Sequence, residues 1–147
     1  MPTPLKFRTA LLRSARLMSD QVNALLLPHQ LNYSLWQVMY VLQDRQGCTS
    51  IEIAQYLNVS KPAITKRIHA LNQLGLLLQL SSSDKREKKL MLSQHGQSVF
   101  ARCAAKIDAL EQRLLSGVDP MQLQHSLALL QQLTQQLELS IAGEQHV

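Results

Sequence analysis

The stretch Ser60-Lys61-Pro62-Ala63-Ile64-Thr65-Lys66-Arg67-Ile68-His69-Ala70-Leu71-Asn72-Gln73-Leu74-Gly75 has the marks of a helix with both ends specified. Ser60 is a good N-cap, because its hydroxyl can accept an orphan backbone N–H of the first turn. Val59 before the cap and Ile64 four positions inside suit a hydrophobic staple. Pro62 falls in the first turn, where a missing N–H costs nothing. Gly75 stands where a helix ends in a left-handed residue. Between these limits Ile64, Ile68, Leu71 and Leu74 recur at helical spacing. Turning by about 100° per residue puts Lys66 and His69 opposite that stripe, with Thr65 beside them. Lys61 and Arg67 fall on the flanks, from which long side chains can reach outward. A helix buried on one face, cationic and hydroxylic on the other, fits the major groove of DNA. The same pattern also describes an ordinary solvated helix.

The neighbouring residues separate the two readings. Upstream, Ser50-Ile51-Glu52-Ile53-Ala54-Gln55-Tyr56-Leu57-Asn58 is long enough for two turns. Thr49 or Ser50 can cap it, and Ile53, Ala54 and Leu57 give it an apolar face. It meets the next helix through Asn58-Val59, which makes a helix-turn-helix whose second helix reads. Downstream, Leu76 to Leu80 is apolar and strand-like, and Ser81-Ser82-Ser83-Asp84-Lys85-Arg86 is a turn. Lys89 to Leu92 can pair back. A hairpin with a basic tip directly after a recognition helix is the layout of a winged helix.

These residues resemble the MarR (multiple antibiotic resistance regulator) family of bacterial winged-helix transcription factors. The family pattern is Asp-x-Arg at the wing tip, a short strand, then Leu-Thr-x-x-Gly opening the next helix. Here it reads Asp84-Lys85-Arg86, then Leu92-Ser93-Gln94-His95-Gly96. Ser93 stands for the usual Thr and keeps the capping chemistry. Ile64-Thr65-Lys66 is similar to the family's recognition-helix core, with Lys where Arg is usual. After Gly75-Leu76 the family often places an Arg, and this chain has Gln79. The resemblance covers nearly the whole chain, and its specific part is the wing motif with its spacing.

Charge is distributed as this reading requires. The 147 residues carry a formal net charge of +5, which favours a polyanionic partner. Residues 60–89 hold seven Lys and Arg against two acids, and residues 1–19 hold four against none. The excess therefore sits on the reading head and the first helix. Cys48 and Cys103 are too few and too far apart for a disulfide framework, as in a reducing cytosol. The first residues lack a signal-peptide core. No run approaches the ~18 apolar residues of a membrane span. The expected location is the cytoplasm.

Around the reading head the chain reads as helix. Leu5 to Leu27 carries the stripe Leu11, Ala15, Met18, Val22 and Leu25, and Pro28 ends it. Ser34 can cap a helix from Leu35 to Asp44, with Trp36, Met39, Tyr40 and Leu42 offered to the core and Gly47 closing it. Cys48-Thr49 can form a short strand edge to the wing. From Ser93 to about Leu115 the stripe is Val99, Cys103, Ile107, Leu110 and Leu114. Asp119-Pro120 then caps a last helix to about Ile141, followed by a frayed tail. That helix carries more apolar residues, among them Leu127, Leu129, Leu130, Leu133 and Leu137, than a chain this short hides alone. The expected fold is thus mainly α: a winged helix-turn-helix core with a small β-hairpin wing, flanked by long N- and C-terminal dimerisation helices. Its parts are an N-terminal dimerisation helix and linker (1–33), the DNA-binding domain (34–96) and C-terminal dimerisation helices (97–147).

The candidate DNA contacts are Ser60, Lys61, Thr65, Lys66, Arg67 and His69 on the helix and Asp84, Arg86, Lys88 and Lys89 on the wing. Arg86 suits a narrow A·T-rich minor groove, where the potential is most negative. Asp84 makes sense as a carboxylate that orients it, a pairing the resemblance implies too. Lys66 lacks the two-pronged geometry of Arg toward guanine. Lys88 and Lys89 suit phosphates. His69 is either a base contact or an ordinary surface histidine. An effector pocket where the winged core meets the dimer helices would be lined by Arg16, His29, Trp36 and Tyr40. The resemblance implies a small lipophilic or phenolic effector there, whereas core packing is the plainer role for Trp36.

The histidines show no ligand spacing with Cys, Asp or Glu, so no metal is expected. Nothing resembles a nucleophile–base pair, a phosphate-binding loop or a dinucleotide fingerprint, so neither enzyme activity nor a cofactor is expected. The resemblance leaves a redox switch at Cys48 open, but with no cationic pair near it in sequence, and Cys103 on an apolar stripe, both thiols read better as inert. The sequence thus points to a homodimeric, sequence-specific DNA-binding regulator, a ligand-responsive repressor on a pseudo-palindromic operator. Its rivals are an activator or anti-silencer on the same kind of site, and a winged-helix interaction module that never binds DNA.

Overall fold

The computed structural model describes residues 1–80 and 88–145. Contacts divide the chain into two compact units, with the boundary after Asp108. The first unit holds α1 (Phe7–Leu26), a 3-10 turn (Leu27–His29), α2 (Tyr33–Arg45), β1 (Cys48–Thr49), α3 (Ser50–Leu57), α4 (Lys61–Gln73), β2 (Leu77–Leu80) and β3 (Lys89–Leu92). α5 (Gln94–Leu114) begins in it and crosses the boundary, and α6 (Pro120–Gln145) belongs to the second unit.

Local chemistry sets the limits of the short helices. Thr49 caps α3 in a full capping box: its hydroxyl accepts the Glu52 N–H at 3.2 Å while the Glu52 carboxylate accepts the Thr49 N–H at 3.2 Å. Asn58 closes α3 in the left-handed region at φ 52°, and the Val59 N–H returns to the Ala54 carbonyl at 3.1 Å. This reversal is the turn of the helix-turn-helix. Ser60 caps α4, accepting the Ala63 N–H at 3.3 Å. Gly75 ends the segment at φ +72°, a conformation open to glycine without strain.

The wing is antiparallel and three-stranded, in the order β1-β3-β2. Cys48 pairs with Leu90, Leu77 with Leu92 and Leu80 with Lys89. Along β3, Leu90 and Leu92 are buried and Lys89 is exposed, the alternation of a strand with one face on the core. That core gathers Leu26, Val38, Met39, Leu42, Ile53, Ile64, Leu71 and Leu76, all essentially without solvent contact.

The wing root is fastened to α5 by three hydrogen bonds. The Ser93 N–H donates to the Leu76 carbonyl at 2.9 Å, and its hydroxyl donates to the Gly75 carbonyl at 2.7 Å. The same hydroxyl accepts the Gly96 N–H at 3.0 Å. Gly96 lies so close to Leu76 that an added Cβ would overlap its carbonyl oxygen and stand 3.0 Å from its carbonyl carbon.

Several expectations are corrected. α2 begins at Tyr33, not Leu35, because Asn32 rather than Ser34 is its cap, its side chain accepting the Leu35 N–H at 2.9 Å. Asn23 on α1 accepts the Tyr33 N–H at 2.7 Å and secures the same end. Tyr40, offered to the core, is 49% exposed, since α2 already buries Leu35, Trp36, Val38, Met39, Val41 and Leu42. On α1 only Val22 of the expected stripe is buried, joined by Leu26, while Ala15 and Met18 stay exposed. In the second unit α6 continues past the expected end near Ile141 to Gln145, and His146 and Val147 lie outside the described residues. No side chain between Met121 and Gly143 is buried, and Leu123, Leu127, Leu129, Leu130, Leu137 and Leu139 are exposed.

Candidate nucleic-acid interface

α4 stands on a fixed scaffold. Ile64 and Leu71 have no solvent contact and hold its inner face on the core. Its outer face presents Ser60, Lys61, Thr65, Lys66 and His69, all exposed. Two hydroxyls there are already partly used. Ser60 accepts the cap bond, and Thr65 Oγ1 donates to the Lys61 carbonyl at 3.0 Å, which leaves its lone pairs free to accept. His69 Nε2 lies 3.2 Å from Gln73 Nε2 one turn on. The result is a convex surface of cations and hydroxyls on a packed helix, the shape that enters a groove about 12 Å wide.

Arg67 is placed elsewhere than the sequence suggested. Its guanidinium Nη1 donates to the Ser34 carbonyl and to Gln37 Oε1, each at 3.3 Å, and the residue is half-buried. It pins α4 to the start of α2 instead of reaching off the outer face. A polar amide and a carbonyl end, 30 and 33 residues away in sequence, draw the guanidinium inward. Helical geometry alone cannot reveal such partners.

On the wing, Lys88 and Lys89 are exposed at the start of β3. The Lys89 stem runs back over Gly47, where an added Cβ would meet Lys89 Cε at 2.9 Å. Asp84 and Arg86 lie outside the described residues. The Thr49 N–H and hydroxyl hold the Glu52 carboxyl below the usual carboxylate range, so it stays ionised at the head of α3.

Both cysteines are buried, and burial pushes both thiols up from their ordinary value. For Cys48 the Glu52 carboxylate adds to that rise, and Arg45 and Lys89 only partly oppose it. A thiol held protonated is a poor nucleophile.

The four residues foreseen around an effector do not share one cavity. Trp36 and Tyr40 line an aromatic cleft of about 330 Å³ with Tyr33, Gln37, Tyr56 and Leu57. Its back wall is fixed: the Trp36 ring stacks on Phe100 of α5, centroids 4.5 Å apart and planes 7° from parallel. The Arg45 guanidinium sits 4.8 Å from the Tyr56 ring centroid and steadies the rim. His29 lines a second cavity, with residues of α4 and α5. Arg16 is exposed on α1 and pairs with Asp20 at 3.5 Å.

Sequence reading missed Tyr33, Gln37, Tyr56 and Phe100. The run Tyr33, Trp36, Gln37, Tyr40 does follow the three- and four-residue steps of one helix face and was open to recognition. Tyr56 and Phe100 arrive from α3 and α5, and only the fold joins them. Among the described residues no group of three His, Cys, Asp or Glu could hold a metal ion, and no helix is long and apolar enough to cross a membrane.

Comparison with known proteins agrees with this geometry. A family model described as MarR family matches residues 29–87, from the end of the 3-10 turn through α2, α3, α4 and β2 to just before β3. An uncharacterized HTH-type transcriptional regulator of Bacillus subtilis, YwoH, is 34% identical over 104 residues, covering 71% of this chain and 76% of that protein. Among solved structures, Staphylococcus aureus MarR in complex with salicylate and kanamycin superposes with a TM-score of 0.82 at 23% identity, covering 89% of each chain. The S. aureus MepR–DNA complex gives 0.79 at 17% identity, covering 90% of this chain and 96% of that one. At these identities the structures establish the shared fold.

Proposed function

The chain belongs to the MarR family, and from that premise we propose that it is a homodimeric, ligand-responsive repressor that binds a pseudo-palindromic operator. It works by binding and not by catalysis, in the cytoplasm, with α4 as its reading helix. The observation that carries this reading is the outer face of α4: Lys61, Thr65 and Lys66 exposed on a helix whose opposite side is buried at Ile64 and Leu71. A rigid helix with that surface can hold hydroxyls and cations at base edges while Lys88 and Lys89 neutralise phosphates. Within this reading Arg86 is the minor-groove contact of the wing tip and Asp84 its orienting partner. Arg67 positions α4 through α2.

The exposed leucines of α6 and the exposed length of α1 supply the surface for a second copy of the chain. Two reading helices related by a two-fold axis then meet two half-sites. The aromatic cleft beside α2 supports ligand response. Tyr33, Trp36, Tyr40 and Tyr56 offer ring faces, and Gln37 and the tyrosine hydroxyls offer hydrogen bonds, which suits a small phenolic effector. The cleft borders Gln37, one of the two acceptors of Arg67, so an occupant that shifts Gln37 loosens the tie between α2 and α4.

The test is binding to promoter DNA over a range of salt. The logarithm of the affinity should fall linearly with log salt, and Lys88→Ala should flatten that slope by about one unit per subunit. Salt-independent binding, or none to any promoter fragment, would leave the interaction-module reading in its place.

A further inference from the structure

The second cavity has a chemistry that the aromatic cleft lacks. It is an open hollow of about 310 Å³, lined by Pro28, His29, Gln30, Leu74, Leu76, His95, Val99 and Arg102. Its three sides come from three parts of the fold: the turn after α1, the end of α4 where it hands over to the wing, and the first half of α5. His95, Val99 and Arg102 follow one another at four- and three-residue steps and so share one face of α5. No Asp or Glu lines the cavity, and no described carboxylate pairs with Arg102. Two imidazoles and a permanently charged guanidinium thus line one space together with the aliphatic side chains Leu74, Leu76 and Val99. Unlike the cleft beside α2, it is lined by no Phe, Tyr or Trp.

A cation is excluded by the guanidinium, which is never deprotonated in a protein. An anion is what this donor set recognises. Arg grips a carboxylate through two parallel N–H donors, and each imidazole can give one N–H more. The aliphatic walls call for an apolar body, and with only Leu74, Leu76 and Val99 to receive it a short one is enough. We infer that this cavity is a binding site for a short-chain aliphatic carboxylate, its head held by Arg102, His95 and His29 and its chain against Leu74, Leu76 and Val99.

Occupancy has a consequence for the reading head. The ligand ties α5 and the turn after α1 to Leu74–Leu76, next to the bonds that Ser93 makes to Gly75 and Leu76. It therefore braces the end of α4 against α5. The effect on operator affinity rests on the DNA-binding reading above, whereas the binding itself does not, and the two are measured separately.

The experiment is isothermal titration of the full-length protein with hexanoate, hexan-1-ol, acetate and inorganic phosphate. Hexanoate should bind with a dissociation constant of about 1 mM or tighter. Hexan-1-ol, acetate and phosphate should each bind at least about tenfold more weakly, since each lacks the head or the body. Arg102→Gln should weaken hexanoate at least about tenfold, His95→Gln should weaken it less, and Trp36→Leu in the aromatic cleft should leave it unchanged. Thermal melts of each variant show whether it is folded, and Arg102, being exposed, should melt as the parent does. Equal binding of hexanoate and hexan-1-ol would overturn the site, as would full affinity in Arg102→Gln. Phosphate binding as tightly as hexanoate would make it a site for bare anions and overturn the carboxylate assignment. Hexanoate binding with unaltered operator affinity would keep the site and remove only its link to the reading head.

Discussion

Replacing Gly96 by Ala places a methyl group against the backbone of Leu76. It would overlap the carbonyl oxygen and stand 3.0 Å from the carbonyl carbon and 3.3 Å from Cα. All three neighbours are backbone, so no side chain can swing away to make room. α5 must retreat from the wing root, and the Ser93 N–H bond to the Leu76 carbonyl, 2.9 Å in the native chain, stretches with it. Losing that bond costs about 1 kcal/mol. Forcing a methyl into a packed contact costs about 1–3 kcal/mol. Against this, Ala is the better helix former by about 1 kcal/mol. The overlap wins, and Gly96→Ala should destabilise by about 1–3 kcal/mol. Urea unfolding at one fixed protein concentration measures it, because a dimer's stability depends on concentration. Gly117→Ala is the control, since nothing lies within 4 Å of its added Cβ, and it should stay within about 0.5 kcal/mol of the parent. If Gly96→Ala proves as stable as Gly117→Ala, the close approach of α5 to Leu76 does not exist as described.

Arg67 and Lys66 are neighbours in sequence with different predicted roles. Arg67→Ala should lower stability by about 1–2 kcal/mol through its bonds to Ser34 and Gln37 and leave base preference intact. Lys66→Ala should leave stability within about 0.5 kcal/mol and blur preference at one base position per half-site, read by selection from a random-sequence library. The capping box predicts a pH dependence. Glu52 has a lowered folded-state pKa, so the stability it adds is fully present above the ordinary carboxylate value and is lost as pH falls through its folded value. The difference in melting temperature between the parent and Glu52→Gln should therefore narrow on acidification, and a gap that widens would refute the box.

The limits of α4 were legible because they rest on local chemistry. Ser60, Pro62 and Gly75 act within their own turn, and the structure has each in the expected role. β3 was legible for the same reason, with Lys89 to Leu92 alternating between solvent and core. The start of α2 was not, since Asn32 and Ser34 are both good caps and a contact from Asn23 on α1 favours the earlier one. Arg67 went astray because partners distant in sequence decide where it points, and Tyr40 because α2 turns six other residues into the core. The site follows the same division. The outer face of α4 can be read from its spacing, whereas both cavities collect residues from elements distant in sequence, α2 and α3 for the cleft and the turn after α1, the end of α4 and α5 for the second, and exist only once the chain is folded.

The central claim is that a two-fold dimer reads DNA with one α4 per subunit. Selection of bound sequences from a randomised duplex library, carried out at two salt concentrations, tests it most directly. The account predicts two inverted half-sites whose centres lie about one helical turn, roughly 10 bp, apart, with Lys66→Ala relaxing the same base position in both. A single asymmetric site, or a Lys66→Ala effect that is the same for every sequence, would contradict it.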